Sequence, residues 1–142
     1  MAALRAYKIA TLGSHSALQI LKGAHDEGFK TICIATPDRL SLYNRFKFID
    51  KIYPIPKFSD FPKIEDRLIR EKAILIPHGS FVAYLGLAEN KKMKVPYFGN
   101  KKVLDWESDR LKQREWLQKA KVPVPKRFKK GECLSSKIFP KL

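Results

Sequence analysis

The stretch Lys8-Ile9-Ala10-Thr11-Leu12-Gly13-Ser14-His15-Ser16 is a short apolar run that ends in a cluster of glycine, serine and histidine. The same order returns at Ile74-Leu75-Ile76-Pro77-His78-Gly79-Ser80, and a helical apolar pattern follows each stretch. Small polar residues between a strand and a helix suit a phosphate, because the free backbone N–H groups and the positive end of the helix dipole point at the anion. Two such turns in one small α/β chain predict a single shared site.

Apolar runs alternate with helical patterns along the first 120 residues. We predict strands over residues 8–12, 30–35, 51–55, 73–76 and 95–98, and helices over 16–27, 40–46, 64–72, 80–87 and 107–120. A turn is predicted at 36–38, and prolines place the third strand near a sheet edge. The last helix is predicted to bury Leu111, Trp116 and Leu117. This alternation predicts a three-layer α/β sandwich with a parallel sheet, whose ligands bind at the carboxyl ends of the strands.

Composition narrows the class of protein. The 142 residues are 44% hydrophobic, enough for one domain with a core, and carry a formal charge of +15. Residues 101–142 hold 13 basic and 5 acidic side chains, so the excess is concentrated there, especially in Lys126-Arg127-Phe128-Lys129-Lys130. One aromatic among lysines favours solvated charge over a nucleic-acid partner. No run is long enough for a membrane span and no signal peptide is evident, so a cytoplasmic protein is expected.

Metal and nucleophile chemistry are not indicated. Cys33 and Cys133 make neither a metal pattern nor a disulfide framework, and Cys33 is expected to be a small buried apolar residue. The three histidines, at positions 15, 25 and 78, lack the spacing of metal ligands. Neither polar turn matches a dinucleotide fingerprint or a P-loop. We therefore predict no metal site and no catalytic residue in this chain.

Each polar turn allows a structural and a functional interpretation. In the structural one, Gly13 makes a tight turn, Ser14 or Ser16 caps the first helix, and Ser80 caps the later one. In the functional one, the two turns hold one anionic ligand. Two similar turns after separate strands favour the second interpretation. The candidate residues are His15 and Ser80, with Gly13, Ser14, Ser16, His78 and Gly79 around them.

Four blocks of sequence resemble the archaeal FAICAR synthetase, or PurP, family. They are residues 9–24 (IATLGSHSALQILKGA), 76–84 (IPHGSFVAY), 98–100 (FGN) and 106–110 (WESDR), in the order and spacing of the family. The resemblance runs from about residue 7 to about residue 128. It implies a pre-ATP-grasp, Rossmann-like domain.

The resemblance also implies a reaction in purine biosynthesis. The family is an ATP-grasp ligase that joins formate to the amino group of AICAR, a phosphoribosyl aminoimidazole carboxamide, and so makes FAICAR, the precursor of IMP. ATP and Mg²⁺ serve the full-length family: ATP phosphorylates formate, and the AICAR amine attacks formyl phosphate. By motif, His15 and Ser80 match family positions that contact AICAR. This agrees with the site expected from the residues, because AICAR carries a 5′-phosphate.

The chain departs from the family pattern at its C-terminus, where residues 135–142 (SSKIFPKL) bring no glycine-rich phosphate loop and no acidic magnesium cluster. We expect an AICAR-binding-type domain over 1–100, a helix leading towards the ATP-grasp region over 101–121, and a linker with a truncated ATP-grasp start over 122–142. Neither ATP nor Mg²⁺ is expected to bind well to this chain alone, so ligase activity by it alone is not expected. The alternatives are a non-catalytic or regulatory partner of a full-length relative, a homo-oligomer, or the product of a frameshifted gene.

Overall fold

A computed structural model describes residues 6–127, and four parallel strands form its centre. The strands are β1 (Lys8–Leu12), β2 (Lys30–Ala35), β3 (Lys51–Pro54) and β4 (Ala73–Leu75), in the sheet order β3-β2-β1-β4. Continuous apolar runs form these strands because a parallel sheet is buried on both faces. The predicted parallel sheet is confirmed, and β3 lies at its edge as the prolines predicted.

Six helices surround the sheet in the described part of the chain. They are α1 (Ala17–Asp26), α2 (Pro37–Tyr43), α3 (Glu65–Arg70), α4 (Gly79–Lys92), α5 (Leu104–Glu107) and α6 (Arg110–Lys119), with 3-10 turns at Phe58–Ile64 and Lys101–Val103. Helix α2 begins at Pro37, inside the segment predicted as a turn, because the fixed φ of proline suits a first helical position. None of these helices is both long and apolar enough to cross a bilayer.

Side chains from β2 separate the core into two layers. Ile32 and Ile34 point to the face covered by α3 and α4, whereas Cys33 and Ala35 point to the face covered by α1 and α2. This alternation follows from the two-residue period of a strand. Cys33 is fully buried as predicted, and burial raises the pKa of its thiol to about 12. The three-layer architecture is therefore confirmed.

Helix α4 contains a kink at Gly86, whose φ of +76° and ψ of 164° suit only glycine. The fully buried Asn90 bridges this kink, because its Nδ2 donates to the carbonyls of Phe81 and Gly86, each at 2.7 Å. The Asn90 side chain thus ties together the two parts of α4 on either side of the kink.

The predicted fifth strand over 95–98 is wrong. Tyr97 makes only an isolated parallel bridge to Leu75, with Leu75 N–H donating to the Pro96 carbonyl and Phe98 N–H donating to the Leu75 carbonyl, both at 2.8 Å. Pro96 has no N–H to extend the ladder. The segment therefore lies beside β4 without becoming a strand.

The predicted helix over 107–120 is also corrected. It begins at Arg110 rather than at residue 107, because the Asp109 carboxylate accepts from Leu111 N–H at 2.8 Å and from Lys112 N–H at 3.2 Å and so starts α6 after the short α5 has ended. The predicted burial is wrong: Leu111, Trp116 and Leu117 are 51%, 46% and 42% exposed. Helix α6 packs chiefly on α5 rather than on the sheet, which leaves this apolar face uncovered.

The expected division of the chain into a domain over 1–100, a connecting helix over 101–121 and a linker over 122–142 stays a prediction. Residues 122–127 form no regular secondary structure, and 128–142, which include Cys133 and most of the basic run, lie outside the described residues.

Candidate functional site

The first polar turn lies between β1 and α1, against the end of β2. Gly13 N–H donates to the Ile34 carbonyl at 2.6 Å, and a Cβ at Gly13 would lie 2.7 Å from Cε2 of the buried Tyr43 ring. Only glycine fits so close an approach without displacing the ring. The Tyr43 hydroxyl in turn donates to the Ser14 carbonyl at 3.3 Å. The turn is therefore fixed from below by packing.

The second polar turn lies between β4 and α4, and His78 occupies the N-cap position of α4. Its Nε2 lies 3.0 Å from the Leu12 carbonyl, and its Nδ1 accepts from Ser80 N–H at 3.4 Å. A carbonyl can only accept, so Nε2 carries the proton and the ring is neutral. Burial lowers the pKa of His78; His15 acts in the same direction, and the bond to Leu12 opposes them. His78 thus ties the two turns together.

Three polar side chains from the two turns meet. Ser80 Oγ donates to Ser14 Oγ at 2.9 Å, and His15 Nδ1 lies 3.1 Å from Ser14 Oγ and 3.3 Å from Ser80 Oγ. The serines are 7% and 6% exposed, whereas His15 is exposed. In this Ser14–His15–Ser80 cluster the two serines are buried, whereas the imidazole of His15 is exposed to solvent.

A cavity of about 270 Å³ lies over this cluster at the N-terminus of α4. Its lining is mostly the residues that the sequence singled out: His15, Ser16, His78, Gly79, Ser80, Ala83 and Tyr84. Ser14 joins them through its hydroxyl, and Gly13 lies behind the turn as a buried support. The structure therefore brings six of the seven candidate residues together and places Gly13 beneath them.

The predicted capping roles of the serines are wrong. Ser16 stands at the N-cap of α1 but makes no capping hydrogen bond through its side chain, and His78 takes the position expected for Ser80. The hydroxyls of Ser14 and Ser80 bond across the two turns instead. They therefore join the two turns rather than cap the helices.

Two residues of the site were missed from the sequence, Arg39 and Tyr84. Tyr84 follows Ser80 by four positions, so both lie on one face of α4, and that spacing could have revealed it. Arg39 lies on α2 and donates to the Tyr84 hydroxyl from there. Nothing local in the sequence indicates that contact.

A larger cleft of about 810 Å³ adjoins the 270 Å³ cavity. It lies between the start of α4 and helices α5 and α6, and shares His78, Gly79 and Ala83 with the smaller cavity. Its outer wall includes Leu104, Glu107, Trp116 and Leu117. His15 and Ser80 line only the smaller of these two openings.

The described residues contain no group of side chains that could bind a metal ion together. Between residues 6 and 127, no three His, Cys, Asp or Glu side chains come together as metal ligands. No step through ATP is assigned to these residues.

Fold and site together define a class, namely a three-layer α/β domain of the Rossmann-like, pre-ATP-grasp type with two polar turns side by side at the carboxyl edge of its sheet. Residues 9–128 match the family DUF1246, described as a protein of unknown function. The chain belongs to this family.

Named relatives agree with the resemblance in the sequence blocks, which is confirmed. The 5-formaminoimidazole-4-carboxamide-1-(beta)-D-ribofuranosyl 5'-monophosphate synthetase of Pyrococcus horikoshii is 45% identical over 137 residues, which cover 94% of this chain and 39% of the relative. The crystal structure of an IMP biosynthesis protein PurP from Thermococcus kodakaraensis superposes with a TM-score of 0.76 at 34% identity, covering 87% of this chain and 40% of that one.

A more distant likeness concerns the fold alone. The N5-carboxyaminoimidazole ribonucleotide synthetase of Thermotoga maritima has a TM-score of 0.61 at 21% identity, covering 84% of this chain and 32% of that one. In length, the chain spans about two fifths of the P. horikoshii relative.

Proposed function

We propose that this chain holds the phosphate end of AICAR in the formation of FAICAR. The observation that carries the proposal is the Ser14–His15–Ser80 cluster, in which side chains from two separate turns converge at the starts of α1 and α4. The names of the relatives support the reaction, and the meeting of these polar groups at two helix starts supports an anion site there. Because the chain spans 39% of such a relative, the full reaction is proposed for a longer assembly of which this domain is one part.

Phosphate binding here would use hydrogen bonds that are already oriented. Hydroxyls of Ser14 and Ser80 are buried and point at each other, so a phosphate oxygen could take the place of one partner at little cost in side-chain freedom. Gly79 at the first position of α4 has open space around its Cα, which lets an oxygen approach the helix end. The exposed His15 ring would cover the ligand from outside.

A titration tests this proposal directly. We expect AICAR to shift the backbone amide resonances of residues 13–16 and Gly79, and we expect AICA riboside, which lacks the phosphate, to bind at least 10-fold more weakly because charge-assisted hydrogen bonds are lost. Ser80→Ala should weaken AICAR binding, whereas Ser41→Ala, an exposed serine on α2, should not. Unshifted amides at millimolar AICAR would refute the proposal.

A second candidate function, a binding partner of a full-length relative, is favoured by the uncovered apolar face of α6. Leu111, Trp116 and Leu117 are about half exposed, and Trp116 and Leu117 border the 810 Å³ cleft. Exposed apolar patches of this kind mark interaction sites. We propose that the surface otherwise packed against the rest of a PurP-type chain would receive such a partner.

Light scattering with a full-length PurP-type relative tests the second candidate. A stable complex that Trp116→Gln weakens would support it. Two separate scattering masses, with tryptophan fluorescence on mixing equal to the sum of the two proteins, would exclude it.

A further inference from the structure

Arg39 connects three parts of the carboxyl edge of the sheet. Its Nη1 donates to the Gly13 carbonyl at 2.9 Å, and its Nη2 donates to the Tyr84 hydroxyl at 3.3 Å. The guanidinium also lies over the Phe58 and Tyr84 rings, 5.2 and 5.7 Å from their centroids. Arg39 thus links the turn after β1, its own helix after β2, and helix α4 after β4.

Tyr84 contacts Arg39 and also lines the 270 Å³ cavity. Its ring packs on Phe58 with centroids 4.8 Å apart, and the residue is 38% exposed while lining the cavity with His15, His78 and Ser80. Hydrogen bonds with Arg39 and with Ser14 lower the pKa of its phenol, which makes the hydroxyl a stronger donor. The hydroxyl oxygen accepts from Arg39, which leaves its own proton to be donated to a further acceptor.

The charge around Tyr84 favours an anionic acceptor. The nearest carboxylate to Arg39 is Asp38, whose Oδ2 lies 3.6 Å from Nε and whose side chain is 72% exposed, so water screens it well. The Arg39 charge is therefore only weakly compensated behind the Tyr84 hydroxyl. A donor that is backed by a cation and faces a cavity is suited to a phosphate oxygen.

We propose that Tyr84 is a further contact for the phosphoribosyl ligand, donating its O–H to a phosphate oxygen, and that Arg39 is the positioning residue that holds it there. This inference rests on the proposed function, since it names another residue of the same site. Through Arg39, helix α2 becomes a third element of the proposed site, beside the two polar turns.

Calorimetric titration of the whole chain with AICAR tests the contact. Tyr84→Phe should weaken binding about 3- to 10-fold, the effect of one hydrogen bond, while lowering the unfolding midpoint only slightly, because the Arg39 bond that it removes is exposed. Tyr7→Phe is the matched control, because Tyr7 is 39% exposed and does not line the cavity. AICA riboside should bind Tyr84→Phe and the unmodified chain equally well, since it has no phosphate to lose.

Arg39→Lys tests positioning, because lysine keeps the charge but lacks the planar fork whose two nitrogens reach the Gly13 carbonyl and the Tyr84 hydroxyl separately. It should weaken AICAR binding in the unmodified chain and have little further effect in Tyr84→Phe. Ultraviolet difference titration against Tyr84→Phe should show the Tyr84 phenol ionising at higher pH in Arg39→Gln, a change that general loosening of the fold would not produce.

The outcomes separate the two proposals. AICAR binding that is the same in Tyr84→Phe, Tyr7→Phe and the unmodified chain would overturn the Tyr84 contact and leave the phosphate site standing. Additive effects of Arg39→Lys and Tyr84→Phe would overturn the positioning role. No AICAR binding by the unmodified chain would remove the proposed function and this inference with it.

Discussion

The two polar turns contain glycines that should respond oppositely to alanine. At Gly13 a Cβ would lie 2.7 Å from Tyr43 Cε2, 3.1 Å from Cys33 Sγ and 3.2 Å from Ala35 Cβ, all in the buried layer under α1 and α2. At Gly79 a Cβ would meet no atom within 4 Å. Gly13→Ala should therefore destabilise the fold, and Gly79→Ala should not.

Overpacking of a dense core costs about 1–3 kcal/mol, and we expect a loss of that size for Gly13→Ala. The Tyr43 ring cannot move aside freely, because it is 3% exposed and its hydroxyl bonds the Ser14 carbonyl. For a domain of this size the loss corresponds to a fall in Tm of about 4–12 °C. Gly79→Ala should keep or slightly raise the Tm, since alanine narrows the unfolded ensemble, yet weaken AICAR binding.

Urea and thermal unfolding followed by circular dichroism measure both effects. In a Tyr43→Leu background, which removes the Cε2 atom, Gly13→Ala should cost less than in the unmodified chain. Equal unfolding midpoints for Gly13→Ala and the unmodified chain would refute the reasoning. So would an equal penalty for the two alanines.

Three further predictions concern other parts of the fold. Burial lowers the pKa of His78, so the unfolded chain takes up a proton before the folded chain does as the pH falls below about 6.5, and the free energy of unfolding decreases in that range. His78→Asn should reduce the pH dependence of the free energy of unfolding by up to about 1.4 kcal/mol per pH unit, measured by urea unfolding between pH 5 and 7. Asn90→Ala should lower the free energy of unfolding by about 1–3 kcal/mol, because two carbonyls at the kink lose their donor, whereas the exposed Asn44→Ala should change it by under about 0.5 kcal/mol. Trp116→Gln should leave the unfolding midpoint within about 2 °C of the unmodified chain, because the side chain is 46% exposed; a large loss in differential scanning fluorimetry would mean that α6 supports the core.

The strands could be predicted from sequence because each is a short apolar run between clear breakers. Lys8–Leu12 and Lys30–Ala35 have the predicted bounds. The segment over 95–98 is also a short apolar run, but Pro96 lacks the N–H that would extend its backbone hydrogen bonding with β4 beyond one bridge. Helix α6 shows a different limit: its apolar spacing is real, yet spacing cannot tell whether another surface covers the face it defines.

The candidate site was predictable to the extent that parallel strands deliver their ends to one edge. That rule alone placed His15 beside Ser80. It could not reveal that His78 is the cap and Ser80 the cross-turn donor, because both stand at the same helix start and only the packed geometry chooses between them. The contact between Arg39 and Tyr84 joins residues 45 apart, and no local pattern encodes it.

Proline at both margins of the sheet bears on how the protein behaves at high concentration. Ile55 N–H donates inward to the Ala35 carbonyl, so the ring nitrogen of Pro54, one residue earlier, stands on the open side of β3 where a donor would otherwise project. On the opposite margin, the segment containing Pro96 already occupies the backbone groups of Leu75. Neither edge of the described sheet therefore presents a continuous series of free backbone N–H groups to a second molecule. Aggregation by intermolecular strand addition is disfavoured for this reason, although the strands are strongly apolar.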